Sequence, residues 1–167
     1  NKVEVGATHV HEGRTGGSGN LTGADATIHL GGGTRLRAEV ATTNTDQLGT
    51  TTDGSAYLAE VTHRSEKLDG RAYLREQDTG FGLGQQNGSE TGTRKMGLDL
   101  AYRLGAPWSV GGEVFRQDNL NTGAVRDVAE LRGRYTAARY EFLAGLRHAE
   151  DTFPGSDAQR SDQVTFG

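Results

Sequence analysis

The chain has 167 residues, only 33% of them hydrophobic, with 26 glycines, no cysteine and a formal charge of −4. Its length suits one or at most two domains, the lack of cysteine excludes disulfide frameworks and thiolate metal sites, and the acidic balance argues against general nucleic-acid binding. A chain this polar often stays disordered, yet here apolar residues recur with period two along most of the sequence, which is the mark of strands.

In chain order the pattern predicts ten strands, at about 2–10, 21–30, 34–42, 56–66, 70–77, 94–104, 108–116, 127–135, 138–148 and from about 162. Between them lie breaker-rich stretches of two lengths. Long ones cover 11–20, 42–55, 77–93, 116–127 and 149–162; short ones fall at 31–34, 67–70, 105–107 and around Thr136-Ala137. Gly, Asn, Asp, Ser and Pro supply the turn chemistry in both. Strands joined alternately by tight turns and long loops make an antiparallel meander. Outer-membrane barrels have short periplasmic turns and longer extracellular loops, so the expected fold is all-β: a single antiparallel up-and-down transmembrane β-barrel over residues 1–167. No apolar run approaches the ~18 residues of a membrane helix, which says nothing against a barrel.

The stretch MGLDLAYRLG (96–105) illustrates the two faces. Met96, Leu98, Leu100, Tyr102 and Leu104 share one, and Asp99 and Arg103 the other. The charged face over the whole chain carries Arg35, Arg37, Glu39, Glu60, Arg64, Arg71, Arg75, Asp99, Arg103, Glu113, Glu130, Arg132, Arg134, Arg139, Glu141 and Arg147. These residues are expected to line a lumen of mixed sign with a modest positive excess. Leu58, Tyr73, Phe115 and Leu143 fall on that face too, as plugging side chains or as a sign of a shifted register. On the apolar face Tyr102, Trp108, Tyr135 and Tyr140 gather at the tight-turn end, as Trp and Tyr do at the headgroup level of a membrane. Cross-strand aromatic pairs of an ordinary sheet would look the same.

With these features the chain resembles a Gram-negative outer-membrane β-barrel. The stretch REQDTGFGLGQQNGSETGTRKMGLDLAYRLG is similar to the C-terminal barrel region of large, poorly characterised outer-membrane proteins, and this closer resemblance covers roughly residues 70–118. It implies a place in the bacterial outer membrane, lipid and lipopolysaccharide around the wall, the barrel-assembly machinery as partner, and no known active site. Such barrels commonly end in an aromatic residue, whereas this chain stops at QVTFG. Together with a short last strand and a start at Asn1 without signal peptide, this suggests a mature protein or a fragment, with further strands or domains elsewhere in the same protein.

Candidate chemistry is sparse. His9 and His11 share a face but make an incomplete metal site, because Glu12 points away. Small barrels that are enzymes use His with acidic residues or Ser near the outer rim; His63 with Glu60, and His148 with Glu150 and Asp151, are the candidates here, without a recognisable motif. The glycine-rich GFGLGQQNG has no following lysine and reads as a flexible external loop rather than a phosphate site. The expectation is therefore a protein that is not an enzyme and holds no cofactor or metal: a passive porin-like channel or the membrane anchor of a larger surface protein. The alternative is a soluble secreted β-sheet adhesin or binding module with its apolar face in a core.

Overall fold

The structure, a computed structural model, describes residues 2–83 and 91–167. They form ten strands: β1 (Lys2–Arg14), β2 (Gly17–Gly31), β3 (Thr34–Gln47), β4 (Thr50–Arg64), β5 (Leu68–Gln77), β6 (Thr93–Gly105), β7 (Trp108–Asn119), β8 (Val125–Ala137), β9 (Tyr140–Thr152) and β10 (Gln159–Phe166). There is no helix among the described residues. Each strand pairs antiparallel with its neighbours in sequence, giving one up-and-down sheet in the order β1 to β10. The sheet is not closed: β1 and β10 each have one neighbour.

Register decides what the two faces carry, because a slip of one residue would exchange them. Across the whole sheet no such exchange occurs. Val5 opposes Ala26, which opposes Ala38, then Ala59, Leu74 and Met96. The only register shifts lie beside tight turns, between His29 and Gly31 and between Arg103 and Gly105. Leu58, Tyr73, Phe115 and Leu143 therefore stand on the charged face in true register.

The pairings also show how the strands lean. Thr34, the first residue of β3, leads by successive direct pairs through His63, Gly70, Leu100, Gly112 and Leu131 to Leu146. Leu146 lies six residues beyond Tyr140, where β9 leaves its own tight turn. The pairing row thus climbs one residue per strand relative to the tight-turn rim. With ~3.4 Å per residue and ~4.8 Å between strands, that slope corresponds to a tilt of about 35°.

The two faces differ in exposure in an unusual direction. Large apolar side chains are the open ones: Val5 is 81% exposed, Trp108 54% and Leu100 44%. The charged face is sheltered toward the long-loop rim, where Val128 is 4% exposed, while arginines such as Arg71 and Arg132 keep about half of their side chains open. Only Leu83, Val128 and Ala149 form a buried hydrophobic set among the described residues, so no second layer packs on the apolar side.

Two of the five expected long loops are absent as loops. Residues 11–20 and 42–55 belong mostly to strands, which reverse at Thr15-Gly16 and at Leu48-Gly49. Gly, Asn and Ser mark these stretches as breakers in the sequence, whereas the Thr-rich run 42–55 has good strand propensity and 11–20 stays paired from His11–Asn20 to Arg14–Gly17. Positive φ marks the reversals: Gly16 at 86° in the first, and Leu48 at 52° with Gly49 at 82° in the second. The remaining connections on that rim span 78–92, 120–124 and 153–158, and the opposite rim has four tight turns. The last of these is centred on Ala138-Arg139 rather than Thr136-Ala137, which moves Arg139 off the sheltered face and into a turn.

Candidate functional site

The sheltered face is built from rows of directly paired residues. One row runs Arg35, Thr62, Arg71, Asp99, Glu113, Glu130, Arg147 from β3 to β9. Six of its seven residues are charged, β4 contributing Thr62 instead, and the charges share a face because alternate residues of a strand point the same way. Arg71 donates to Asp99 Oδ2 from Nε at 2.9 Å and from Nη2 at 2.7 Å. Arg132 pairs with Glu130 at 3.1 Å, Arg134 with Glu141 at 3.6 Å, and Arg37 with Glu39. Arg103 bonds Asp69 at 2.5 Å and also donates to the carbonyls of Ser65 and Glu66, tying β6 to the β4–β5 turn. Arg75 pairs directly with Lys95 and Leu58 on neighbouring strands of the same face.

The positive excess on this face is smaller than the expected charges alone would give. Register adds Glu4, Asp25, Asp69 and Asp151 to the sheltered face as well as Lys2, Lys95 and Arg126. Sequence reading missed them because it stopped the strands short or judged them by the large apolar residues alone. With acids and bases nearly matched and many of them bonded in pairs, the face is polar rather than strongly charged.

One step toward the long-loop rim, the next row is of another kind: Tyr73, Gly97, Phe115, Val128 and Ala149 from β5 to β9. The Arg71 guanidinium lies 4.9 Å from the Tyr73 ring centre and the Lys95 ammonium 3.8 Å from that of Phe115, so both rings carry cations on their faces. A cavity of about 1070 Å³ is bordered by residues of eight strands, β2 to β9, including Arg37, Glu60, Tyr73 and Phe115. Walls drawn from so many consecutive strands require the sheet to be rolled.

Near the long-loop rim the chain itself returns to this face. After β5, Asp78 accepts hydrogen bonds from the Ser55 amide at 3.0 Å and from its hydroxyl. The segment then crosses the sheltered side of β4 and β3. Gly82 N donates to the Thr43 hydroxyl at 3.1 Å, and that hydroxyl faces Gly80 O at 3.5 Å. Leu83 is 4% exposed and Thr43 3%. The expected external loop over 77–93 is thus packed inward at its start; residues 84–90, with most of GFGLGQQNG, lie outside the described residues.

On the exposed face, Trp108, Tyr135 and Phe142 sit side by side on three strands, with ring centres 4.7 and 6.2 Å apart, and Tyr140 stacks on Phe142 at 6.5 Å. Tyr102 lies on β6 opposite Val110 at the same end. Phe142, the third residue of β9 and paired with Tyr135, belongs to this cluster as well; the sequence reading places it on the apolar face without counting it among the girdle.

The expected histidine–acid pairs do not meet among the described residues. His63 and Glu60 fall on opposite faces, and His63 Nδ1 is bonded to the Thr34 hydroxyl at 2.8 Å beside a tight turn. His148 is bonded to Asp162 of β10 at 2.7 Å rather than to Glu150 or Asp151. Glu150 is bonded to Arg160 at 2.6 Å and Asp151 faces the other side. His9 and His11 bond Thr22 and Asn20 at 3.1 and 2.8 Å. No cluster of three or more His, Cys, Asp or Glu able to hold a metal occurs among the described residues. No protein-family model matches the chain, and no curated protein is significantly similar to it in sequence.

Proposed function

We propose that the ten strands are the wall of a transmembrane β-barrel in a bacterial outer membrane, and that it serves as a passive, weakly selective conduit for small polar solutes. The observation that carries this reading is the sorting of the two faces: from β1 to β9 large apolar side chains stand open on one face with no second layer over them, while the charges gather on the other and many of them bond in pairs. In water, leaving that much apolar surface open forfeits ~25 cal/mol for each Å²; against lipid tails it costs nothing. The apolar stretches run seven residues from Trp108 to Val114 and nine from Met96 to Leu104, roughly 20–27 Å along a strand, comparable with the ~25 Å lipid-facing band of such barrels. The strand tilt of about 35° and the aromatic cluster at one rim fit the same setting.

Every backbone amide in lipid must be paired, so this reading requires the free edges of β1 and β10 to be covered in the membrane. Around the wall it implies lipid and lipopolysaccharide, and for insertion the barrel-assembly machinery. A second reading, a membrane anchor with a blocked interior, draws on the row Tyr73, Phe115 and Val128, which places bulk where a conduit would be open.

Trp108 is the sole tryptophan and gives a direct test. In vesicles its emission is expected to be quenched by lipids brominated high on the acyl chain, and less by lipids brominated near the chain end. Solubility without detergent, with emission indifferent to brominated lipid, would reject the membrane and leave the soluble adhesin, whose apolar face would be covered by another protein.

A further inference from the structure

The segment from Asp78 to Leu83 is held on the sheltered face by more than one kind of contact. Its hydrogen bonds to Thr43 and Ser55 fix both ends of the crossing. In the middle, backbone meets backbone: a Cβ on Gly54 would lie 2.2 Å from Phe81 N and 2.3 Å from Gly80 C, and one on Gly80 would lie 2.3 Å from Asp53 O. Glycine is needed at both places because nothing larger allows that approach. Beyond the crossing, Leu83 reaches toward β2 and β3, where a Cβ on Gly19 would be 2.9 Å from its side chain. The glycines here serve close packing, and the segment spans the sheltered side of three strands near the long-loop rim. A cavity of about 440 Å³ remains between it and the two hairpin tips, bordered by Glu12, Arg14, Thr45 and Thr52.

We propose that Asp78–Leu83 is a size-selecting element: folded onto the sheltered face of β2–β4, it sets the largest solute the conduit passes. The inference rests on the conduit reading and adds to it the residues that set its limit. The fixed contacts make the element part of the wall rather than a loop that swings, so the cutoff is a property of the resting protein.

The chain has no cysteine, so Leu83→Cys supplies a unique thiol. In the folded protein a maleimide probe should label it slowly. Adding Gly54→Ala, whose methyl displaces the crossing, or Thr43→Val, which removes its hydroxyl anchor with little change in volume, should speed labelling by at least about ten-fold, as expected when a packed segment is freed. Heat-dependent gel mobility would confirm that the sheet is intact, and Thr43→Val serves if Gly54→Ala does not fold. In proteoliposomes the same variants, with Leu83 retained, should admit larger uncharged saccharides than the parent. Fast labelling of the parent, or freed labelling with an unchanged saccharide cutoff, would overturn the proposal alone. Failure of the parent and both variants to pass any saccharide would overturn it together with the conduit, and quenching of Trp108 by brominated lipid would then leave the anchor standing.

Discussion

At the scale of single residues the sheet offers neighbouring positions that differ in little but the side they face. Leu100 stands on the open apolar face and Ala101 on the sheltered one. Arginine on a lipid face near the midplane costs ~2–4 kcal/mol, and far less where it meets water. Leu100→Arg is therefore expected to lower stability in vesicles by about that amount while Ala101→Arg stays within about 1 kcal/mol, measured by equilibrium unfolding in denaturant. Equal effects would contradict the membrane reading. Arg103 makes a different case. Its guanidinium bonds Asp69 and two carbonyls of the β4–β5 turn, so Arg103→Leu should cost about 1 kcal/mol through the loosened turn, half-exposed pairs being weak individually. A loss beyond that of Leu100→Arg would mean that the two faces have been assigned the wrong way round.

Among the elements, β2–β4 are the longest strands, and the two hairpins they form with β1 rise past the apolar band into Thr, Asn and His. There the exposed face turns polar: His11 bonds Asn20 at 2.8 Å, and Asn44 donates to Asp53 at 2.6 Å. These tips are expected to stand outside the cell. An epitope inserted between Leu48 and Gly49 should bind antibody on intact cells, whereas one inserted after Gly32 should bind only after permeabilisation; the opposite result would invert the topology. The strand number and the two faces were legible in the sequence because a period of two needs nothing but residue type. The length of these hairpins was not, because Thr and Asn satisfy strand and loop equally well until a partner strand is known. The inward crossing of Asp78–Leu83 was illegible for a related reason: glycine permits both a flexible loop and a close approach, and only Gly54, distant in sequence, tells which.

For the molecule as a whole, slope and closure are linked, since a rolled sheet returns to its first strand displaced by the climb accumulated around the wall. Here the climb is one residue per strand, and ten strands accumulate about ten. Starting from Val5, direct pairs lead through Ala26, Ala38, Ala59, Leu74, Met96, Arg116, Asp127 and Glu150 to Arg160. A further step at that slope brings Arg160 level with Thr15, and so places His11 opposite Val164 and His9 opposite Phe166. All four side chains then lie on the open apolar face, as the register elsewhere demands. Because the chain has no cysteine of its own, the pair His11→Cys with Val164→Cys is expected to form an intramolecular disulfide in the membrane, seen as faster migration on a non-reducing gel. Val5→Cys with Arg160→Cys, which would meet only in a wall without that climb, should not form one. A disulfide-linked dimer from the first pair would instead show that the edges of β1 and β10 are covered by a second copy, and that the wall is built from more than one chain.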